Sequence, residues 1–110
     1  MKEIKAFVKP FKVNEIFHHL LEVGCPNLTV AMAEGTGNLE NADPSVSTQF
    51  SITDSRVAKI EIVCTKKNVE KIVAIISKYG RTGNPGDGLI YISDVEKAYR
   101  VKTGLENGDK

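Results

Sequence analysis

Sliding the chain against itself by 56 residues brings two copies of one pattern into register. Ile4-Lys5-Ala6-Phe7-Val8 falls on Ile60-Glu61-Ile62-Val63-Cys64, and further along Val13, Ile16, Phe17, Leu20, Val23 and Gly24 meet Val69, Ile72, Val73, Ile76, Tyr79 and Gly80. In each copy a run of about six β-branched and apolar residues has the composition of a strand. It gives way to apolar residues at i, i+3, i+4 and i+7, which share one face of a helix about three turns long. Pro10 stands where the first helix begins, where a missing N–H matters least. Gly24 and Gly80 are expected to end the two helices in the left-handed conformation that glycine adopts without steric cost. A turn and a further strand follow each helix, at 28–33 and at 89–93.

Two βαβ units in succession predict an α+β fold, the ferredoxin-like split βαβ in the order βαββαβ, with an antiparallel sheet and both helices on one face. The other face of the sheet is then bare. Ala6, Val8, Ile60 and Ile62 are expected to fall partly on it, so a homo-oligomer is predicted to cover that face. At 110 residues the chain makes a single domain, 1–110. Six per cent aromatics and no Trp leave a thin core that assembly would help to stabilise.

Charge and composition narrow the function. Fifteen Lys and Arg against fourteen Asp and Glu leave a net charge of +1, so no global basic field exists to hold a nucleic acid. Any bound anion must be held by a local arrangement. The longest apolar runs are only a few residues and the N-terminus alternates charged with apolar, which predicts no membrane insertion and a cytoplasmic location. Cys25 and Cys64 are a separated pair without a C-x-x-C or His-rich neighbourhood and read as small buried hydrophobes.

Two stretches do not fit the repeat. Residues 35–54 are polar and aperiodic, and a loop of about 20 residues in a compact domain is usually functional. Arg81-Thr82-Gly83-Asn84-Pro85-Gly86-Asp87-Gly88 joins the second helix to its strand and reads either as a tight turn or as a nest of backbone N–H groups for an anion. Arg100 and Lys102, two apart, would point the same way in extended chain, either as a solvated pair or as two cations on one anion. His18 and His19 are adjacent on a helix and face different directions, which leaves them no shared metal. Ser45, Ser47, Thr48 and Ser51 have no base beside them, and no catalytic residue or metal site is expected. Glu61, between apolar strand neighbours, is either solvent-facing or paired with a cation.

Taken in order, Lys2-Glu3-Ile4, Lys9-Pro10-Phe11-Lys12, Glu22-Val23-Gly24, Leu28-Thr29-Val30, Lys59-Ile60-Glu61-Ile62-Val63, Arg81-Thr82-Gly83-x-x-Gly86-Asp87-Gly88 and Arg100-x-Lys102-Thr103-Gly104 resemble the PII signal-transduction family across almost the whole chain. The resemblance implies a homotrimer that binds adenine nucleotide between subunits and acts on a partner through a T-loop at 35–54. The segment 81–88 would be its B-loop and 100–110 its C-terminal segment. By position, Phe7, Leu28, Thr29 and Val63 would form the adenine pocket, and Gly35 and Gly37 would let the loop backbone approach ribose and phosphates. Gly86, Asp87 and Gly88 would offer backbone N–H groups to phosphate, and Arg100 and Lys102 would supply two cations at about 1.5–3 kcal/mol each. Asn38, Leu39, Asp43, Ser45 and Phe50 would touch the partner.

Departures from the family pattern sharpen the expectation. Leu89 and Val57 stand where the family has lysines, and Asn38-Leu39 replaces an Arg-Gln pair whose glutamine helps to hold Mg²⁺ and 2-oxoglutarate. The tyrosines, Tyr79, Tyr91 and Tyr99, lie outside the loop, so control by tyrosine uridylylation is not expected. The expected protein is therefore not an enzyme. It is a regulator that holds ADP or AMP at least as well as ATP, with Mg²⁺ accompanying ATP, and that acts on a membrane transporter or a metabolic enzyme. The alternatives are a nitrogen-status regulator sensing ATP and 2-oxoglutarate, or a small ferredoxin-like hydrolase of phosphate esters or acyl phosphates.

Overall fold

In the computed structural model, which describes residues 1–34 and 56–106, the pattern of the repeat becomes four strands and two helices. Strand β1 (Lys2–Val8) leads through a 3-10 turn into α1 (Val13–Glu22) and then β2 (Thr29–Glu34); β3 (Arg56–Cys64) leads through a second 3-10 turn into α2 (Val69–Gly80) and β4 (Ile90–Asp94). Strands β2 and β4 begin one residue after the positions that sequence marks, and β3 begins four residues before Ile60. The sheet order is β2-β3-β1-β4 and every pairing is antiparallel. Each βαβ unit thus leaves a gap between its two strands that a strand of the other unit fills, which is the split βαβ arrangement.

Period and register decide the core. Ile4 lies opposite Ile62, Ala6 opposite Ile60 and Val8 opposite Ala58, and all six are buried beneath Ile16 and Leu20 of α1 and Ile72 and Ile76 of α2. Full burial of each large aliphatic side chain in this group contributes about 1.5–3 kcal/mol. Ala6, Val8, Ile60 and Ile62 therefore do not lie on the bare face as expected. Alternation along a strand is strict, so placing Ile4 and Ile62 on the helices carries these four with them. The opposite face holds Glu3, Lys5 and Phe7 of β1 and Val57, Lys59, Glu61 and Val63 of β3, and Glu61 pairs with Lys5 at 3.9 Å.

The two helix-end glycines do different work. At the end of α1, Gly24 takes φ +80°, its N–H donates to the Leu21 carbonyl at 3.0 Å, and the Cys25 N–H donates to the Leu20 carbonyl at 2.9 Å. That is the paired bonding of a Schellman cap. Gly80 is not left-handed. It is the buried last residue of α2, and a Cβ there would meet Ile16 Cδ1 at 3.2 Å and Val8 Cγ1 at 3.3 Å. Close approach of α2 to β1 and α1 leaves little room for a Cβ at 80. Nearby, the His19 ring stacks on Tyr79 at 3.6 Å between centroids and its Nδ1 lies 3.0 Å from Glu22, while His18 is exposed. No helix among the described residues is long and apolar enough to cross a membrane.

Candidate functional site

The glycine-rich turn after α2 is organised from within by one carboxylate. Asp87 accepts from the Thr82 N–H at 2.8 Å, the Thr82 hydroxyl at 2.7 Å and the Gly83 N–H at 3.0 Å. Lys9, the residue that follows β1, reaches in and donates to Thr82 Oγ1 and to the Pro85 carbonyl, each at 3.1 Å, with its Nζ 3.7 Å from Asp87. Partial burial alone would raise the Asp87 carboxyl. The Thr82 hydroxyl, the N–H groups of Thr82 and Gly83 and the Lys9 ammonium outweigh it and hold the group below the ordinary carboxylate range. Arg81 turns away, donating to the carbonyl and hydroxyl of Ser77.

Steric contact with β1 fixes the far end of the turn. A Cβ on Gly88 would lie 2.0 Å from the Phe7 carbonyl oxygen, so only glycine passes there, and the Phe7 N–H donates to the Leu89 carbonyl at 2.9 Å. Among the described residues, no acceptor takes the N–H groups of Gly86 or Gly88, while Pro85 and Gly86 form a turn that directs the Asp87 N–H back toward the Asn84 carbonyl. Backbone N–H groups left for an outside acceptor at Gly86 and Gly88, in a turn tied down by its own carboxylate, are suited to an anion.

The expected base-binding residues fall into two places. Leu28, Thr29 and Val63 line a groove of about 480 Å³ together with Glu3 and Glu61. Phe7 lies elsewhere, lining a cavity of about 200 Å³ with Asp87 and Gly88, its ring edge-on to Tyr91 at 5.8 Å. In the β1–β3 register Val63 stands opposite Glu3 and Phe7 opposite Lys59, four residues along. That separates the two groups by about 13 Å at the usual strand rise. One chain does not bring the four residues together.

Nor is the segment that carries the two cations extended. Tyr99 bridges Glu106, the Arg100 N–H donates to the Leu105 carbonyl at 3.0 Å, and the Gly104 N–H donates to the Arg100 carbonyl at 2.8 Å. Arg100 and Lys102 therefore sit in a tight hairpin, where the alternation argument for their common direction fails; local backbone bonding across Gly104 (φ +69°) overrides it. Both are exposed, and neither lines the groove or the cavity beside the turn. The expected residues Gly35, Gly37, Asn38, Leu39, Asp43, Ser45 and Phe50 lie outside the described residues.

Comparison with known proteins matches residues 1–105 to the family model described as nitrogen regulatory protein P-II. Relatives bearing that name include one from Pasteurella multocida, 34% identical over 110 residues covering 99% of this chain and 98% of the relative. A second, from Bradyrhizobium diazoefficiens, is 37% identical over 105 residues, 94% of each chain. A third, from Pyropia yezoensis, is 38% identical over 104 residues, 94% of this chain and 93% of its own. The chain belongs to the nitrogen regulatory protein P-II family.

P-II proteins are signalling regulators, not enzymes, which removes the hydrolase alternative. The residue that sequence reasoning missed in this P-II chain is Lys9. It sits in the quoted Lys9-Pro10-Phe11-Lys12 stretch, yet its role depends on β1 ending beside a turn more than 70 positions away, as the 73-residue separation of its bond to Thr82 shows. Glu61, left open by sequence, is a partly exposed partner of Lys5.

Proposed function

We propose that this P-II chain binds adenine nucleotide in clefts between copies of a homotrimer, holds ADP or AMP at least as well as ATP, and regulates a partner protein through residues 35–54. The observation that carries the reading is the division of the site. An anion-suited turn at 86–88 lies at one end of β1, a partly apolar groove at Leu28, Thr29 and Val63 lies at the other, and two cations stand on an exposed hairpin. A single nucleotide spans such groups when the groove of one copy faces the turn of the next. Phosphate preference follows from charge. Arg100 and Lys102 can each make a charge-assisted bond, whereas Leu89 beside the turn and Val57 on β3 add none for an outer phosphate. The partner is a membrane transporter or a metabolic enzyme, reached from a chain that needs no membrane span of its own.

Titration calorimetry with ATP, ADP, AMP and cyclic AMP, with and without Mg²⁺ and 2-oxoglutarate, tests this. ADP or AMP should bind at least as tightly as ATP. Absence of any adenine nucleotide binding below about 1 mM, where the binding free energy is only about −4 kcal/mol, would overturn it. The name shared by the relatives favours a second reading, a nitrogen-status regulator. Under that reading 2-oxoglutarate with Mg²⁺ tightens ATP binding; under the first it leaves ATP unchanged.

A further inference from the structure

A cavity of about 210 Å³ adjoins the groove, and Cys25 and Cys64 both line it. Pro26, Asn27 and Val63 line the cavity and the groove alike, so they form a shared wall between the two spaces. Both cysteines are free thiols, partly buried against the same core. Cys64 is the last residue of β3 and is held by its pairing with Lys2. Cys25 lies outside any helix or strand, between the left-handed Gly24 and Pro26. Its N–H is held by the Leu20 carbonyl in the cap of α1, so the approach of the two sulfurs to the Cα separation of about 4.4–6.8 Å that a disulfide requires must come from the Cys25 side chain and the Pro26-Asn27 segment that follows it.

We propose that Cys25 and Cys64 form a reversible disulfide across this cavity on exposure to a peroxide, and that the bond weakens nucleotide binding in the adjoining groove. The second part rests on the nucleotide reading above. Burial pushes both thiols up; the Lys71 ammonium draws Cys25 partly back, and Cys64, raised further by Cys25, is drawn partly back by the N-terminal ammonium. In one order of events Cys25 reacts first. Its thiolate attacks one peroxide oxygen, the O–O bond breaks, a sulfenic acid forms and hydroxide leaves to take up a proton as water. The Cys64 sulfur then attacks the sulfenic sulfur, the S–S bond forms and a second water leaves. Two thiols lose two electrons in all and one peroxide is reduced to two waters. Drawing the two sulfurs together pulls the shared wall toward the cavity and away from the groove, so Val63 and the segment leading to Leu28 lose contact with a bound base.

The test takes the purified full-length chain, reduced and then titrated with hydrogen peroxide. The expected result is a subunit mass lower by about 2 Da, no free thiol and a Cys25–Cys64 linked peptide, all reversed by dithiothreitol. ADP affinity should fall by about threefold or more on oxidation and recover on reduction. In Cys25→Ser and Cys64→Ser, peroxide should leave ADP affinity unchanged. Two thiols surviving excess peroxide, disulfide-linked dimers, or a sulfinic acid on one cysteine would overturn the proposal. A correct disulfide with unchanged ADP affinity would overturn the coupling to the groove. Failure of the reduced protein to bind ADP would instead sink the nucleotide reading, and the mass measurement would still decide whether the disulfide forms.

Discussion

Replacing Gly88 with alanine separates steric from conformational reasons for glycine in the turn. The new Cβ would stand 2.0 Å from the Phe7 carbonyl oxygen and 2.9 Å from Phe7 Cβ, against 3.4 Å for ordinary contact, so the chain at 88 must lift by more than 1 Å. That movement breaks the 2.9 Å bond from the Phe7 N–H to Leu89 and pulls the turn away from β1. Loss of the bond costs about 1 kcal/mol and the clash a further 1–3 kcal/mol, for about 2–4 kcal/mol in all. Gly83→Ala is the control, since Gly83 has φ +80° but nothing within 4 Å of its Cβ position. It should show only the left-handed penalty of about 1–2 kcal/mol. Urea unfolding gives both values, and ADP titration should show Gly88→Ala losing about tenfold or more in affinity while Gly83→Ala retains most of it. Equal stability and equal ADP affinity in the two variants would refute the claim that the crossing over β1 sets the turn's shape.

Three further outcomes follow from the same geometry. Because the folded Asp87 carboxyl lies below its ordinary value of 3.8, the stability it contributes is present above that value and is lost as pH falls through the folded one. Asp87→Asn should therefore be less stable than the parent at about pH 7, with the gap closing as pH falls below 3.8; urea titrations that show a constant gap would count against the network. Gly80→Ala should destabilise by about 1 kcal/mol net, a gain of about 1 kcal/mol in helix propensity being outweighed by about 1–3 kcal/mol of overpacking against Ile16 and Val8. A thermal melt at or above the parent's would show that these side chains yield freely. Arg100→Ala should weaken ADP binding by about tenfold with the oligomer unchanged in light scattering, and dissociation would make Arg100 a structural residue instead.

The repeat at 56 residues was enough to order the elements, because strand and helix periods are local and each copy writes them plainly between Ile4 and Gly24 and between Ile60 and Gly80. It also marked the turn at 81–88 as distinct. It did not say which sheet face Ala6, Val8, Ile60 and Ile62 occupy. Alternation fixes only that neighbours oppose one another; the choice between the two faces belongs to the packing of Ile16, Leu20, Ile72 and Ile76. Gly24 and Gly80 looked equivalent for a related reason, since a glycine favoured by backbone angle and one favoured by the closeness of a neighbour's methyl groups are the same letter.

The candidate site divides along the same line. Chemistry carried by residue type, such as the small residues of the turn and the cations at 100 and 102, was readable in the chain. Chemistry that depends on separation was not. Lys9 closes the turn only because β1 ends beside it, Phe7 and Val63 are parted by four positions of strand register, and Arg100 and Lys102 sit in a hairpin closed between Tyr99 and Glu106. Sequence by itself determined the elements, their order and the family to which their motifs belong, through interactions within about a dozen residues. Tertiary structure alone decided which face is core, which carboxylate ties the turn and which groups meet, because those outcomes rest on contacts between segments that the chain keeps far apart.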